Sequence, residues 1–305
     1  MSVAIITRMH SKIQLVIILL LVVFAACSPQ PDNEEIPLPD SSEYLNNVGS
    51  DTMVNLALAW AEQYQQINPS SNLSVSGGGS GTGIASLINN TTDIANASRR
   101  IKPEEIDNAQ DNGIEPTEFI VAKDAIAVIV NPNNPVDQLT LQQLSDIYSG
   151  KINNWTELGG EDRPIVRLSR ETNSGTHVYF LEQVLRLGSK EDKTLFSTDT
   201  LLLPSSEVIG VEIRNNPNAI GYDGLGYVTP DMKVIAVSDS LVDEAEFIYP
   251  SAETVNDGTY PIARELYMYT AGPPAGFVKT YMDWIFSPEA QKIVAQLGFV
   301  PIISP

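Results

Sequence analysis

Residues 168–176 carry the side chains best suited to hold a small anion. Arg170 precedes Ser174, Gly175 and Thr176, and an apolar helical pattern begins directly afterwards. The first turn of a helix presents backbone N–H groups without internal partners and about half a positive charge. A guanidinium and two hydroxyls at such a turn predict a site for an oxyanion, with phosphate as the obvious guest.

Three other turns rich in Ser, Thr or Gly also precede helical patterns. They lie at residues 49–52, 77–83 and 96–100. In open α/β sheets, ligands bind at the carboxyl ends of strands, where such turns converge. We therefore expect all four turns to meet at one site.

Short apolar runs alternate with helical patterns from Tyr44 onward. The runs that predict strands lie at 73–76, 93–97, 119–122, 125–130, 165–169 and 219–222. The patterns that predict helices lie at 53–67 with Thr52 as N-cap, at 84–88, from Pro103, after Thr140, at 206–214, at 277–286 and at 288–296. This alternation predicts an α/β fold with a largely parallel sheet.

Length and composition limit the possible classes of protein. A chain of 305 residues is long enough for about two domains. The formal net charge of −20 argues against partners such as nucleic acid or an anionic lipid surface. Outside the N-terminal residues 1–26, the chain has one histidine, His177, and one cysteine, Cys27. We therefore expect no metal site and no cofactor.

The N-terminus has the pattern of a processing signal. Basic residues precede an apolar run at 13–24, which is short for a membrane span, and the run leads into Ala-Ala followed by Cys27. This is the pattern of a bacterial lipobox, so residues 1–26 are predicted to be a lipoprotein signal peptide and Cys27 the lipidated residue. Prolines and acids dominate residues 27–43, which we predict to be a disordered tether.

Enzyme motifs that act on phosphate are missing from the turns. Residues 77–83 lack the Gly-Lys-Ser/Thr of a P-loop, and no Gly-x-Ser-x-Gly nucleophile turn occurs in the chain. A binding protein is therefore favoured over a phosphate-hydrolysing enzyme. A receptor for sulfate, molybdate or tungstate, and an anchored adhesin or scaffold, remain as alternatives.

The order of the motifs resembles the PstS family, the phosphate-binding proteins of bacterial phosphate ABC transporters. The resemblance runs from about Val48 to the C-terminus, and its order is more specific than any single motif. The motifs are Gly-Ser-x-Thr at 49–52, Gly-Ser-Gly-Thr-Gly at 79–83, Ala-Ser-Arg at 97–99, Arg-x-x-x-Ser-Gly-Thr at 170–176, Ile-Gly-Tyr at 220–222, Gly-Leu-Gly-Tyr at 224–227 and Gly-Phe-Val-Pro at 298–301.

The resemblance implies a type II periplasmic-binding-protein fold, with two α/β lobes joined by a hinge and the ligand in the cleft. Lobe 1 would hold residues 44–124 and 260–305, and lobe 2 would hold residues 125–259. The implied protein is a monomeric, lipid-anchored extracytoplasmic receptor that passes inorganic phosphate to the permease subunits of an ABC transporter.

The resemblance also implies a set of phosphate contacts. By position these are Thr52, the backbone N–H of Met53, Ser80, Ser98, Arg99, Arg170, Ser174, Gly175 and Thr176. Familiar relatives place an aspartate after the serine of the third motif, where it accepts the phosphate proton, and this chain has Arg99 there. The proton acceptor is therefore open among Asp51, Glu171 and Asp93.

Overall fold

The computed structural model describes residues 44–239 and 246–303. The predicted signal peptide, Cys27 and the predicted tether lie outside the described residues. The strands are β1 Tyr44–Gly49, β2 Asn72–Ser76, β3 Ile94–Ala97, β4 Thr117–Val130, β5 Gln138–Thr140, β6 Val166–Arg170, β7 Leu201–Leu203, β8 Ala219–Gly224, β9 Lys233–Ser238 and β10 Ala263–Thr270. The helices are α1 Val54–Ile67, α2 Ser80–Ile88, α3 Pro103–Asp111, α4 Leu141–Tyr148, α5 Gly175–Phe180, α6 Ser206–Asn215, α7 Ala252–Asn256, α8 Gly276–Ile285 and α9 Pro288–Gln296.

The strands pair in the order β2-β1-β3-β10-β4-β8-β6-β7, and β9 joins β4 to β5. The pairings among β1, β2 and β3, among β6, β7 and β8, and between β5 and β9 are parallel. Every pairing that involves β4 or β10 is antiparallel. The α/β class is as predicted, but the sheet is mixed rather than largely parallel, because these two strands run against their neighbours.

Strand β4 is a single strand of 14 residues where the sequence pattern predicted two. Lys123 and Asp124 interrupt the apolar run, and that interruption was the basis for the predicted break. Asp124 is fully buried and opposes Arg264 of β10 in the register of the two strands. Because the charge has a partner across the ladder, the strand continues through it.

Buried apolar side chains fall into two sets along the chain. One set, the first core, draws on residues up to Ala122 and on residues from Leu266 to Phe299. The other, the second core, draws on residues from Ala125 to Ile262 and on Val300. The chain therefore passes from one core to the other along β4 and returns along β10.

Two helix starts differ in how they use their hydroxyls. Thr140 caps α4 as predicted, because its side chain accepts a hydrogen bond from the N–H of Gln143. Thr52 was predicted to cap the first helix, but it lies inside a 3₁₀ turn, Asp51–Met53, that precedes α1, and it caps nothing there. Its hydroxyl is consequently free for contacts with other parts of the chain.

Across residues 44–239 and 246–303, no helix has the length and apolar character needed to cross a bilayer.

Candidate functional site

Four buried hydroxyl residues from all four of the predicted turns come together in the structure. We call Thr52, Ser80, Ser98 and Thr176 the hydroxyl cluster; each is at most 1% exposed. The Oγ1 atoms of Thr52 and Thr176 lie 2.8 Å apart, and the Oγ atoms of Ser80 and Ser98 lie 3.3 Å apart. Residues far apart in sequence thus form one patch of hydroxyl donors and acceptors.

Helix starts position these side chains. Thr52 lies in the turn that leads into α1, Ser80 is the first residue of α2, and Thr176 is the second residue of α5. The prediction placed a glycine loop through residue 83, whereas α2 already begins at Ser80. Three helix N-termini therefore direct their positive ends to the hydroxyl cluster, which favours a negatively charged guest.

Gly175 is needed where two of the turns approach most closely. A Cβ atom at this position would collide with the Oγ atoms of Ser80 and Ser98. Glycine therefore lets the start of α5 pack directly on the hydroxyls of the other turns. This contact brings the Thr52–Thr176 pair and the Ser80–Ser98 pair together into one continuous surface.

Ser174 and Met53 take part in the local structure of the same turns. The Oγ of Ser174 accepts the N–H of Thr176 at 3.2 Å and so caps α5. The N–H of Met53 donates to the carbonyl of Ser50 at 3.0 Å. Both groups lie beside the hydroxyl cluster and already have partners in the chain.

A buried ion pair that the sequence analysis missed lies against the hydroxyl cluster. Arg264 of β10 donates from Nε and Nη2 to Oδ2 of Asp124, at 3.1 and 2.8 Å. Its Nη1 donates to Oγ1 of Thr176 at 3.0 Å and to the carbonyl of Ser98 at 3.2 Å. Arg264 therefore brings a cation into contact with the hydroxyl cluster, and Asp124 holds that cation in place.

Burial raises the pKa of the Asp124 carboxyl, and the neighbouring guanidinium of Arg264 opposes that rise. The only trace of this pair in the sequence is a charged residue inside an apolar strand pattern. Its partner is 140 positions away, so the spacing of residues could not reveal it.

Arg170 was predicted to contact the anion, and it lies at the end of β6 with 1% exposure. Its Nη2 lies 3.0 Å from Oδ2 of Asp51, and its Nη1 donates to Oγ of Ser206 at 2.9 Å. Oδ2 of Asp51 also accepts the N–H of Ser206 at 3.0 Å. The guanidinium also donates to the carbonyls of Leu203 and Pro204, so its described contacts are to its surroundings and not to the hydroxyl cluster. Asp51, the neighbour of Thr52, links this network to the turn that holds Thr52.

A second buried carboxylate completes the surroundings of Arg170. Oδ1 of Asp223 accepts hydrogen bonds from Oγ of Ser206 at 2.9 Å and from the N–H of Gly224 at 2.8 Å. Its Oδ2 atom is buried without a hydrogen-bond partner among the described residues. Burial raises the pKa of Asp223 to about 6, although the positive charge of Arg170 works in the opposite direction.

Arg99 differs from its expected role as an anion contact. Its guanidinium makes two hydrogen bonds to the carboxylate of Glu105, at 2.8 and 2.6 Å, and a third to the carbonyl of Arg100. Glu105 lies in the first turn of α3 and also accepts the N–H of Lys102. The structure therefore ties the Arg99 side chain to a helix start and not to the hydroxyl cluster.

The three carboxylates expected as proton acceptors occupy different environments. Asp51 is 15% exposed and adjoins Arg170, as described above. Glu171 and Asp93 are exposed, and Oδ2 of Asp93 accepts the N–H of Asn46 at 2.7 Å. Of the three, only Asp51 lies in the buried network beside the hydroxyl cluster.

His177 follows the hydroxyl cluster on α5, and its ring has its own partner. Nδ1 of His177 lies 3.0 Å from Oγ of Ser169, which in turn lies 2.6 Å from the hydroxyl of Tyr222. Burial lowers the pKa of this histidine, so the ring is held neutral near pH 7. Within the part of the chain that the structure describes, no group of three or more His, Cys, Asp or Glu side chains is arranged to hold a metal ion.

The site as a whole is suited to bind an oxyanion. It combines hydroxyl groups, three helix N-termini and two buried arginines, each of which is paired with an aspartate. Such groups stabilise negative charge.

The chain is similar to known phosphate-binding proteins over most of its length. The model of the PBP superfamily domain matches residues 38–289. The phosphate-binding protein PstS of Pseudomonas aeruginosa is 31% identical over 275 residues, which cover 85% of this chain and 83% of that protein. The PstS protein of Bacillus subtilis is 33% identical over 266 residues, which cover 86% of this chain and 82% of that protein.

A solved structure from Clostridium perfringens is described as a phosphate ABC transporter substrate-binding protein with bound phosphate. It matches with a TM-score of 0.75 and 32% identity, and the match covers 85% of this chain and 100% of that one. An ABC-type phosphate transport receptor from Vibrio cholerae matches with a TM-score of 0.67 and 28% identity, over 84% and 99% of the two chains. From the site geometry and these matches together, the chain belongs to the PstS family of phosphate-binding proteins within the PBP superfamily.

Proposed function

We propose that this protein is the extracytoplasmic receptor of a bacterial phosphate ABC transporter, which binds inorganic phosphate and delivers it to the permease. The observation that carries the proposal is the hydroxyl cluster, where four separate turns and three helix N-termini meet beside two buried arginines. The protein's task is to hold the anion and release it unchanged.

The available donors are sufficient for tight binding. A dissociation constant of 1 μM corresponds to about −8.2 kcal/mol at the 1 M standard state. Hydrogen bonds to charged groups contribute roughly 1.5–3 kcal/mol each. The hydroxyls of the cluster, the two guanidinium groups and the helix N–H groups together exceed that requirement, and the excess offsets the cost of desolvating the anion.

The proposed contacts are those expected from the family pattern, with the side chain of Arg264 added and that of Arg99 set aside. Isothermal titration of the purified chain with phosphate, sulfate and molybdate tests the proposal. Phosphate is expected to bind at least 100-fold more tightly than sulfate. Tighter binding of sulfate or molybdate would identify a receptor for another oxyanion, and release of phosphate from a chromogenic ester would identify an enzyme.

Selectivity is assigned to the Asp51 carboxylate. Near neutral pH phosphate carries a proton and sulfate does not, so a buried carboxylate accepts a hydrogen bond from phosphate and repels sulfate. Asp51→Asn should bring the affinities for the two anions closer, by about 10-fold or more. Glu171→Gln is the matched control, since Glu171 is exposed. An unchanged ratio in Asp51→Asn would remove Asp51 from this role.

The two lobes are proposed to close on the anion. The separation of the two cores supports the proposal, because the chain changes core near residues 122–125 and 262–266, close to the predicted limits at 124/125 and 259/260. The cluster draws Thr52, Ser80 and Ser98 from the first part and Thr176 from the second. Small-angle scattering should show a smaller radius of gyration with phosphate, and no change in that radius would contradict lobe closure.

Attachment to a membrane through a lipid on Cys27 is proposed from the sequence pattern of residues 13–27. Mass spectrometry of the protein purified from a bacterial membrane would show a lipid-modified N-terminal cysteine after removal of residues 1–26. Cys27→Ser should release the protein from the membrane fraction. An unmodified Cys27 in membrane-purified protein would contradict the anchor.

A further inference from the structure

A cavity of about 700 Å³ lies on the side of the hydroxyl cluster where β4 and β10 adjoin. We call it the basic cavity, because basic side chains outnumber acidic ones along its wall. The basic residues that line it are Arg99, Arg100, Lys102, Lys123, Lys190 and Arg264, and the acidic residues are Glu182 and Glu265.

The charge of the basic cavity is opposite to that of the chain. The sequence has 18 Lys and Arg residues against 38 Asp and Glu residues, and its net charge is −20. A protein with this net charge repels a doubly charged anion at long range. Six of the 18 basic residues line this one cavity, which concentrates positive charge there relative to the rest of the chain.

Most of these basic residues have acidic partners, but two lysines do not. Arg99 pairs with Glu105 and Arg264 pairs with Asp124, while Arg100 lies 3.4 Å from Glu118. Within the described ranges, the lysines that form ion pairs are Lys102, Lys151, Lys233 and Lys279. Lys123 and Lys190 form no ion pair among the described residues, and against them the wall carries one acid without an ion pair, Glu182.

Arg264 connects the basic cavity to the hydroxyl cluster. Its side chain lines the cavity, and its Nη1 donates to Oγ1 of Thr176 at 3.0 Å. Residues of the cavity wall are also close in sequence to residues of the hydroxyl cluster. Arg99 follows Ser98, and Val178 lies two positions after Thr176. An anion in the cavity is therefore next to the cation that contacts the cluster.

We propose that the basic cavity is a second, weaker anion site that captures phosphate from solution and passes it to the hydroxyl cluster past Arg264. Lys123 and Lys190 supply the attraction, because neither forms an ion pair among the described residues and together they outnumber Glu182. This inference rests on the proposed function. The charges of the two lysines raise the rate of phosphate association, while the hydroxyl cluster determines the rate of phosphate release.

The test measures association and dissociation rates of radiolabelled phosphate by rapid filtration at several salt concentrations. The variant is the double substitution Lys123→Gln and Lys190→Gln. The matched control is Lys279→Gln with Lys292→Gln, which removes the same charge from α8 and α9, away from the cavity.

At about 10 mM salt, the cavity variant should associate about five-fold more slowly than the wild type, and its dissociation rate should stay the same. The difference should vanish at about 0.5 M salt because the charges are then screened. The control should match the wild type to within about two-fold. Equal association rates for the cavity variant and the control would overturn the proposal.

Two further outcomes separate this inference from the proposed function. A wild-type protein that binds no phosphate at any salt concentration would refute the proposed function itself. Tripolyphosphate serves as a probe of the cavity: it should slow phosphate association in the wild type and have less effect in the cavity variant. If tripolyphosphate instead binds the wild type more tightly than phosphate does, the cavity is the principal site for a longer anion and the capture role is wrong.

Discussion

Two buried arginine–aspartate pairs flank the hydroxyl cluster, and they are built in different ways. Arg264 and Asp124 face each other directly across two adjacent antiparallel strands, and their side chains are 2% and 0% exposed. Arg170 is the last residue of β6, Asp51 lies in the turn after β1, these strands are not neighbours in the sheet, and Asp51 is 15% exposed. One pair is part of a strand ladder, whereas the other joins two distant regions of the chain.

The difference shows how one site can combine an ion pair within a strand ladder with an ion pair that depends on contact between distant segments. A pair between opposed residues of one ladder keeps its geometry as long as the strands stay paired. A pair between the end of one strand and a distant turn lasts only while those two segments remain in contact. We therefore expect the Arg264 pair to matter most for stability, and the Arg170 pair to matter most for ligand binding.

The largest expected effect is on stability, in Asp124→Asn. Removal of this charge leaves Arg264 buried without its carboxylate, which typically costs about 3–5 kcal/mol. Urea unfolding should show this loss both with and without phosphate. Asp124→Asn combined with Arg264→Gln should recover part of it, because no unpaired charge remains. A loss below about 1 kcal/mol in the single variant would contradict the fixed role of this pair.

The next effect is on affinity, in Arg170→Gln. Loss of a charged donor to a doubly charged anion should weaken phosphate binding about 100-fold. The free energy of unfolding in the absence of phosphate should change less than in Asp124→Asn. Isothermal titration and urea unfolding of the same sample measure both quantities. A variant that loses stability and keeps its affinity would reverse the proposed division between the pairs.

A third effect concerns Asp223, whose carboxylate accepts a hydrogen bond from the Ser206 hydroxyl that also contacts Arg170. Its pKa of about 6 in the folded state is above the ordinary value of 3.8, so the unfolded state ionises first. The contribution of Asp223 to stability is therefore largest below about pH 4 and falls as the pH rises to about 6. Asp223→Asn removes this loss and should gain about 3 kcal/mol over that range.

Unfolding midpoints at pH 4 and pH 7 measure the effect of Asp223→Asn. An equal difference from the wild type at both pH values would mean that Asp223 does not titrate in this range. Asp231→Asn is a suitable control, since Asp231 is exposed and its pKa is lowered by a hydrogen bond from Thr229.

The smallest effect is expected for Asp51→Asn in the absence of ligand. The Asp51–Arg170 pair is partly open to water, and the amide oxygen of asparagine can still accept the N–H of Ser206. The free energy of unfolding should fall by about 1 kcal/mol. A loss as large as that of Asp124→Asn would remove the contrast between the two pairs.

The sequence pattern predicted most of the elements and the four turns whose hydroxyl residues the structure brings together. The turns that hold Thr52, Ser80, Ser98 and Thr176 were identified because each places a small hydroxyl residue just before a helical pattern. Helices such as α3, which begins at Pro103, carried local start signals that needed no tertiary information.

Other features depend on strand register, which the sequence does not display. Asp124 looked like a break in a strand because its partner, Arg264, lies 140 positions away. The direction of β4 was missed for the same reason, and the strand β10 was not predicted at all; the neighbours of both come from distant segments. Arg99 was expected to contact the anion because of its place in a motif, whereas Glu105 at the start of α3 takes its guanidinium.

The long strand β4 has a consequence for how the protein loses its structure. Val121 and Ala122 belong to one core, and Ala125 and Ile126 belong to the other. Unfolding of either core therefore disrupts β4, the strand that contributes side chains to both cores. A calorimeter should record a single cooperative heat-absorption peak, even though the chain has two separate apolar interiors.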